Sequence, residues 1–281
     1  MRTSIMKIAA VALVLTLAAA GQAFPAGRTL ILATTTSTQD SGLLDLLVPL
    51  FEKESGYFLK TIAVGSGQAM AMGKKGEADV LLVHSPEAEK EFMSGGFGVN
   101  RRLVMHNDFI VLGPPSDPAK IRGAKGAAEA LKKIAASGSL FLSRGDNSGT
   151  HAREKGLWKK SGIEPDGKWY QQTGLGMAET LNVAAEKKAY TLADRGTWLT
   201  MKKRLGLEVL VERDPLLLNV YHVIEVNRGR WPKVNEAGAK AFADFMVSRK
   251  VQEMIGRFGA DRYGTPLFTP DAGRKPETLG L

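Results

Sequence analysis

Three short stretches of the chain place hydrogen-bond donors where a helix is about to start. In "ATTTSTQDSGLLDLL", Thr34, Thr35, Thr36, Ser37 and Thr38 stand between an apolar run and an amphipathic pattern. In "TIAVGSGQAMAMG", Gly65, Ser66 and Gly67 occupy the same place. In "LFLSRGDNSGTHAREKGLW", Arg144 ends the apolar run, and Ser148, Gly149 and Thr150 open the next helix. A helix start carries unpaired backbone N–H groups and partial positive charge, and neighbouring hydroxyls add donors without adding charge. Glycine admits close backbone approach, and a guanidinium supplies a charged fork. A single start of this kind is ordinary helix capping. Three of them, with one arginine, suit the capture of a small tetrahedral dianion whose water shell is replaced by fixed donors.

Other chemistries fit less well. A nucleotide P-loop needs G-x-x-x-x-G-K-[ST], whereas "GQAMAMGKK" has one residue too many, and G-x-S-x-G fails at Ser66 because Val64 replaces the first glycine. Ser148 and His151 share one helix start, where hydroxyls cap more often than they attack. His84, His106, His151 and His222 are isolated and there is no cysteine, so no metal set and no cofactor is expected. Met70 and Met72 read as packing, and "RGD" at 144–146 as a chance tripeptide. The expectation is a binding protein and not an enzyme.

The elements that must position these residues form an α/β pattern. The runs "TLILAT", "LKTIAV", "ADVLLVH", "DFIVLG", "SLFLSR" and "WYQQTG" alternate with amphipathic stretches, and sheets of this class bind ligands at the carboxyl ends of their strands. Ser37 with Asp40 has capping-box spacing, which predicts a helix from near Thr38, bent at Pro49. Two long β-type runs, each opening near an asparagine ("NDFIVLGP" and "LNVYHVIEVNR"), predict two lobes joined by two crossing strands. Lobe I is then discontinuous, residues 24–107 plus 223–281, with lobe II, residues 108–222, inserted. Ahead of them, Arg2 and Lys7 precede the apolar run Ile8 to Ala20, and "GQA" ends at Ala23. That pattern predicts a cleaved signal peptide, residues 1–23, and an address in the periplasm without a lipid anchor. Composition is globular, 44% hydrophobic and 24% charged. The formal charge of +9 is spread over Lys-Lys pairs at 74, 132, 159, 187 and 202, with no basic stripe for nucleic acid. A monomer is expected.

Taken in order, "ATTTSTQDSGLLDLL", "GSGQAM", "GEADVLLVHSPEAE", "NDFIVLGP", "SRGDNSGTHAREKGLW" and "YTLADRGTWL" resemble the tungstate-binding proteins of bacterial ABC importers over nearly the whole mature chain. The resemblance implies a two-lobed, type II periplasmic binding protein, with a membrane permease as partner. It assigns the oxyanion to Thr35, Thr36 and Ser37, to Ser66, and to Arg144, Ser148, Gly149 and Thr150, with Asp194 and Arg195 as a second tier. Ala193 stands where the family often has a hydroxyl, and His222 where a small residue is usual. Molybdate, sulfate or phosphate as ligand remains open on the same scaffold, phosphate needing an acceptor such as Asp146 or Asp194 for its proton. A secreted phosphoester hydrolase, which would show turnover, is the alternative of a different class.

Overall fold

The structure, a computed structural model, describes residues 28–275 and Leu279; the expected signal peptide lies outside the described residues. The first half runs β1 (Thr29–Thr35), α1 (Thr36–Asp40), α2 (Leu43–Ser55), β2 (Phe58–Val64), α3 (Ser66–Lys75), β3 (Val80–Val83), α4 (Pro86–Ser94) and β4 (Gly98–Gly113). It continues with α5 (Ala127–Ser137), β5 (Phe141–Ser143), α6 (Gly149–Ser161), β6 (Tyr170–Gln172), α7 (Met177–Lys187), β7 (Tyr190–Asp194), α8 (Arg195–Leu205) and β8 (Glu208–Val211). The chain then returns through β9 (Leu218–Val226), α9 (Glu236–Met246), α10 (Arg249–Ile255), α11 (Ala260–Tyr263) and β10 (Thr269–Pro270).

The strands lie in the order β2-β1-β3-β9-β4-β7-β5-β6, with β8 and β10 paired to β4. β4 belongs to both halves. Its residues up to Asp108 pair antiparallel with β9, and Phe109 to Leu112 pair with β7. β9 pairs with β4 from Leu218 onward, so residues 218–222 hydrogen-bond within the first sheet, and the return between halves falls ahead of Leu218. In each half the parallel strands alternate with helices, which places the carboxyl ends of β1, β2, β5 and β7 at helix starts.

Each half has its own core. In the first, Leu43, Leu44, Leu47 and Phe51 repeat at helical spacing along α2 and pack on Leu30 and Leu32 of β1 and on Phe242 of α9. The Phe51 and Phe242 rings meet edge to face with centroids 5.2 Å apart, a favoured arrangement for aromatic quadrupoles. In the second, Trp158 of α6 meets Phe141 of β5 edge to face at 5.2 Å, in one cluster with Tyr190. Met70 is buried in the first half's packing, as its spacing suggests.

The first helix departs from the sequence expectation. Thr35, extended at φ −103° and ψ 152°, is the cap, its Oγ1 accepting from the Thr38 N–H at 3.3 Å, and the helix starts at Thr36. Ser37 therefore lies inside the first turn and does not cap it. The chain breaks instead at Gly42, whose φ of 79° reorients it into α2. Pro49 sits within α2 without ending it.

The two family departures have structural partners. Ala193 is fully buried opposite Ile110, where a hydroxyl would meet core. His222 is buried between β3 and β4, its Nδ1 2.9 Å from Glu89, which also accepts from Arg101 Nη2 at 2.8 Å. At the other end of β4, the C-terminal β10 straps onto Met105 and His106, and Asp271 takes the His106 Nδ1 at 2.6 Å.

Candidate functional site

Between the halves lies an open cleft of ≈ 970 Å³. The first half presents Thr36, Ser37, Asp40 and the Gly65 and Gly67 backbone to it; the second presents Arg144, Asp146, Ser148, Glu179 and Asp194. Asn107 and Tyr221, one from each crossing strand, complete the floor. Four strand-to-helix turns thus converge on one space: β1 to α1, β2 to α3, β5 to α6 and β7 to α8.

Within the hydroxyl run the five side chains divide their work. Thr34 donates to the Leu82 carbonyl at 2.8 Å and is spent on the sheet. Thr35 is buried and forms a hub, 2.7 Å from Thr38 Oγ1, 3.1 Å from Ser37 Oγ and 3.0 Å from His84 Nε2. Thr36 and Ser37 line the cleft. His84, buried at the end of β3, touches both Thr35 and Ser37 and packs against Tyr221 with ring centroids 4.6 Å apart and planes tilted by 36°. Burial, opposed only in part by Glu89, lowers the His84 pKa to about 4, so the imidazole is neutral at physiological pH and braces the hydroxyls without adding charge.

At α3, Ser66 is buried with its Oγ unpartnered. Gly149 of the other half lies directly against it, where a Cβ would stand 2.8 Å from His84 Cε1 and 3.2 Å from Ser66 Oγ. Only glycine fits this meeting of the halves without displacement. Gly149 and Thr150 are the first two residues of α6, so their N–H groups have no partner inside the helix. Thr150 itself is buried in that turn. Ser148 caps the helix, accepting from the His151 N–H at 3.3 Å.

Arg144 is held by its own loop. Its Nη2 pairs with Asp146 and its Nε donates to the Leu175 carbonyl at 3.4 Å. Asp146 in turn accepts from the Ser148 N–H at 3.1 Å. The loop's left-handed residues, Gly145 at φ 64° and Asn147 at φ 57°, make this tight turn. Burial alone would raise the Asp146 carboxyl, but Ser148 and Arg144 beside it outweigh burial and hold it below the usual carboxylate range. Asp194 caps α8, accepting from the Thr197 N–H at 2.7 Å and from the Thr197 hydroxyl on both oxygens. Arg195 is placed differently: it pairs with Asp108 at 2.5 Å and Glu212 at 2.7 Å, and does not line the cleft.

Several cleft residues were not singled out from sequence. Asp40 is the last residue of α1, and its carboxyl is pushed up, first by burial, then by Asp194 across the cleft, with Arg144 opposing and Glu179 adding. Glu179 and Gly176 arrive with the start of α7. Asn107 and Tyr221 come from strands and His84 from the residue after β3, where no helix-start signal marks them, and His84 stands behind the lining next to Thr35, Ser37 and Tyr221; the asparagines opening the two crossing runs were the visible clue. Among the described residues, no group of three His, Asp or Glu side chains could hold a metal ion.

Residues 19–250 match the family described as a PBP superfamily domain. The chain is 52% identical over 247 residues to the tungstate-binding protein TupA of Peptoclostridium acidaminophilum, covering 87% of this chain and 86% of that protein. Among solved structures, the tungstate-binding protein TupA of Desulfovibrio alaskensis G20 superposes with a TM-score of 0.77 at 48% identity, over 87% of this chain and 99% of that one. The tungstate ABC transporter structure from Geobacter sulfurreducens gives 0.73 at 44% identity, over 83% and 100%.

Proposed function

The chain belongs to the PBP superfamily and, within it, to the family of tungstate-binding proteins, and on that premise we propose that it captures tungstate in the inter-lobe cleft and delivers it to the permease of an ABC importer. The single observation that carries this reading is the convergence of four helix starts and Arg144 on one space between two halves. Thr36, Ser37 and Ser66 would hold the oxyanion from the first half, with Thr35 fixing Ser37. Arg144, Ser148 and the N–H groups of Gly149 and Thr150 would hold it from the second. Asp194 shapes the fourth helix start, and Arg195 braces the strand that crosses.

Among the described residues, four carboxylates and one guanidinium line the cleft. Net charge therefore does not attract the dianion; oriented N–H dipoles, hydroxyls and one fork must do so, in a geometry fixed before binding. A protonated phosphate needs a free acceptor; Asp146 and Asp194 are engaged by Arg144, Ser148 and Thr197, which leaves Asp40 and Glu179 as the acceptors of the lining, so the choice of tungstate over phosphate rests on the family and not on the lining. Closure of the halves around the anion would mark the protein as loaded for the permease. The role is one of capture without turnover and without a cofactor, by a monomer in the periplasm. No helix among the described residues is long and apolar enough to cross a membrane.

A thermal-shift panel of tungstate, molybdate, sulfate and phosphate tests the reading, because a ligand that binds only the folded state raises its melting temperature. Tungstate is expected to give the largest shift. No shift from any oxyanion overturns the reading.

A further inference from the structure

The floor of the cleft is made by the crossing strands themselves, and its hydrogen bonds run in one direction. Asn107 of β4 and Asn219 of β9 are register partners. Asn219 Nδ2 donates to Asn107 Oδ1 at 2.8 Å and to Tyr221 Oη at 3.1 Å. An amide nitrogen carries two hydrogens, and these two acceptors take both. Asn219 is 2% exposed and does not line the cleft, whereas Asn107 and Tyr221 do.

Two consequences follow from the direction of those bonds. With its carbonyl turned to Asn219, Asn107 has its own NH₂ left to donate. With its oxygen accepting from Asn219, Tyr221 has its phenolic hydrogen left to donate, with Ser37 and Asn107 also within hydrogen-bonding reach of that oxygen. The phenol keeps that hydrogen: burial raises its pKa above the ordinary tyrosine value, and Asp194 adds to the rise, against the smaller effect of Ser37, Asn107 and Asn219. The ring is held in place by His84 at 4.6 Å and by an edge contact with Phe268 at 5.7 Å.

We propose that Asn107 Nδ2 and Tyr221 Oη donate directly to the bound oxyanion, and that Asn219 is the positioning residue that turns both donors toward the cleft. The proposal rests on the reading of the cleft as an oxyanion site. It adds ligand contacts on both crossing strands, so the anion ties together the hinge as well as the two lobes. Both donors are neutral, and in that orientation their oxygens face Asn219 and not the ligand, so these two groups offer hydrogens to an oxyanion and accept none from it.

The test is calorimetric titration of tungstate into the wild-type protein, Tyr221→Phe and Asn219→Asp, with melting temperatures taken without ligand. Tyr221→Phe keeps the ring and removes one donor; a lost hydrogen bond to a charged acceptor predicts weakening of about tenfold to a hundredfold. Asn219→Asp replaces a donor with an acceptor, draws the Tyr221 and Asn107 hydrogens away from the cleft, and is expected to weaken binding further. A near-ultraviolet difference spectrum, loaded minus free, should show a tyrosine shift in the wild type that is absent in Tyr221→Phe, a signal that a purely structural role does not produce. If the wild type binds tungstate and both folded variants bind equally well, with no tyrosine shift, this proposal fails while the tungstate reading stands. If the wild type binds no oxyanion, both fail together.

Discussion

Replacing Gly149 with alanine should separate the two halves of this protein without unfolding either. The added methyl would sit 2.8 Å from His84 Cε1 and 3.2 Å from Ser66 Oγ. Both neighbours are buried in the other half, His84 between Thr35 and Tyr221, so neither can yield as the end of a flexible side chain would. Overpacking a filled site costs about 1–3 kcal/mol, and here the cost falls on the contact between halves and not on either core. If the ligand-bound form keeps this contact, tungstate affinity should drop by roughly 5- to 150-fold. The melting temperature of the free protein should change little, since the halves can part slightly. Gly156→Ala in the same helix is the control: nothing lies within 4 Å of its added methyl, and the change should stabilise slightly, by about 0.5–1 kcal/mol. Calorimetric titration with tungstate, paired with scanning calorimetry, reads both quantities. Wild-type affinity in Gly149→Ala at an unchanged melting temperature would falsify the reasoning, because the bound form would then not bring Gly149 against His84 and Ser66.

Further outcomes can be checked with the same two instruments. Arg144→Ala removes a guanidinium from the cleft and should weaken tungstate by about tenfold to 150-fold, with Arg144→Lys recovering part of the loss; equal affinities would exclude the anchor role. Asp40→Asn should raise the melting temperature at neutral pH. Its carboxyl is pushed up by burial and Asp194, so its favourable contribution exists only below the unfolded value and is lost as pH rises through the folded one. The same variant should bind tungstate more tightly, and a lower melting temperature at neutral pH would contradict the sign. For His84, lowered to about 4 by burial, the unfolded state binds the extra proton first, so stability falls as pH drops from about 6.5 toward 4, by up to about 3 kcal/mol. A melting curve series in which His84→Gln loses as much stability over that window as the wild type would remove His84 as the cause.

The residues explain why some of this architecture was legible and some was not. Helix starts announce themselves locally, because glycine and hydroxyl residues mark where a strand ends; hence Ser66, Arg144 and Ser148 were found at the ends of β2 and β5. The position of a cap within a run of five hydroxyls is not local. Thr35 takes that role because His84, 49 residues away, also holds its oxygen, and no spacing rule foresees a partner at that distance. Asp194 and Arg195 show the same limit: both are polar at a helix start, yet Asp194 faces the cleft and Arg195 is drawn to Asp108 and Glu212. The crossing strands were legible as long β-type runs, whereas their register was not, since the pairing of residues 218–222 with β4 joins positions more than a hundred residues apart. Asp146 and Asp194 were legible as carboxylates near the site, whereas Asp40 and Glu179 carry no local signal, and only the fold brings them to the cleft with Arg144.

The central claim is that the cleft binds a fully deprotonated tetrahedral oxyanion and prefers tungstate. Competition calorimetry on the wild-type protein tests it most directly, with tungstate titrated alone and then in the presence of excess sulfate, phosphate or molybdate. The account predicts one tungstate per chain, with affinity unmoved by sulfate or phosphate. Heat from phosphate or sulfate that tungstate cannot displace, or no heat from tungstate at all, would contradict it.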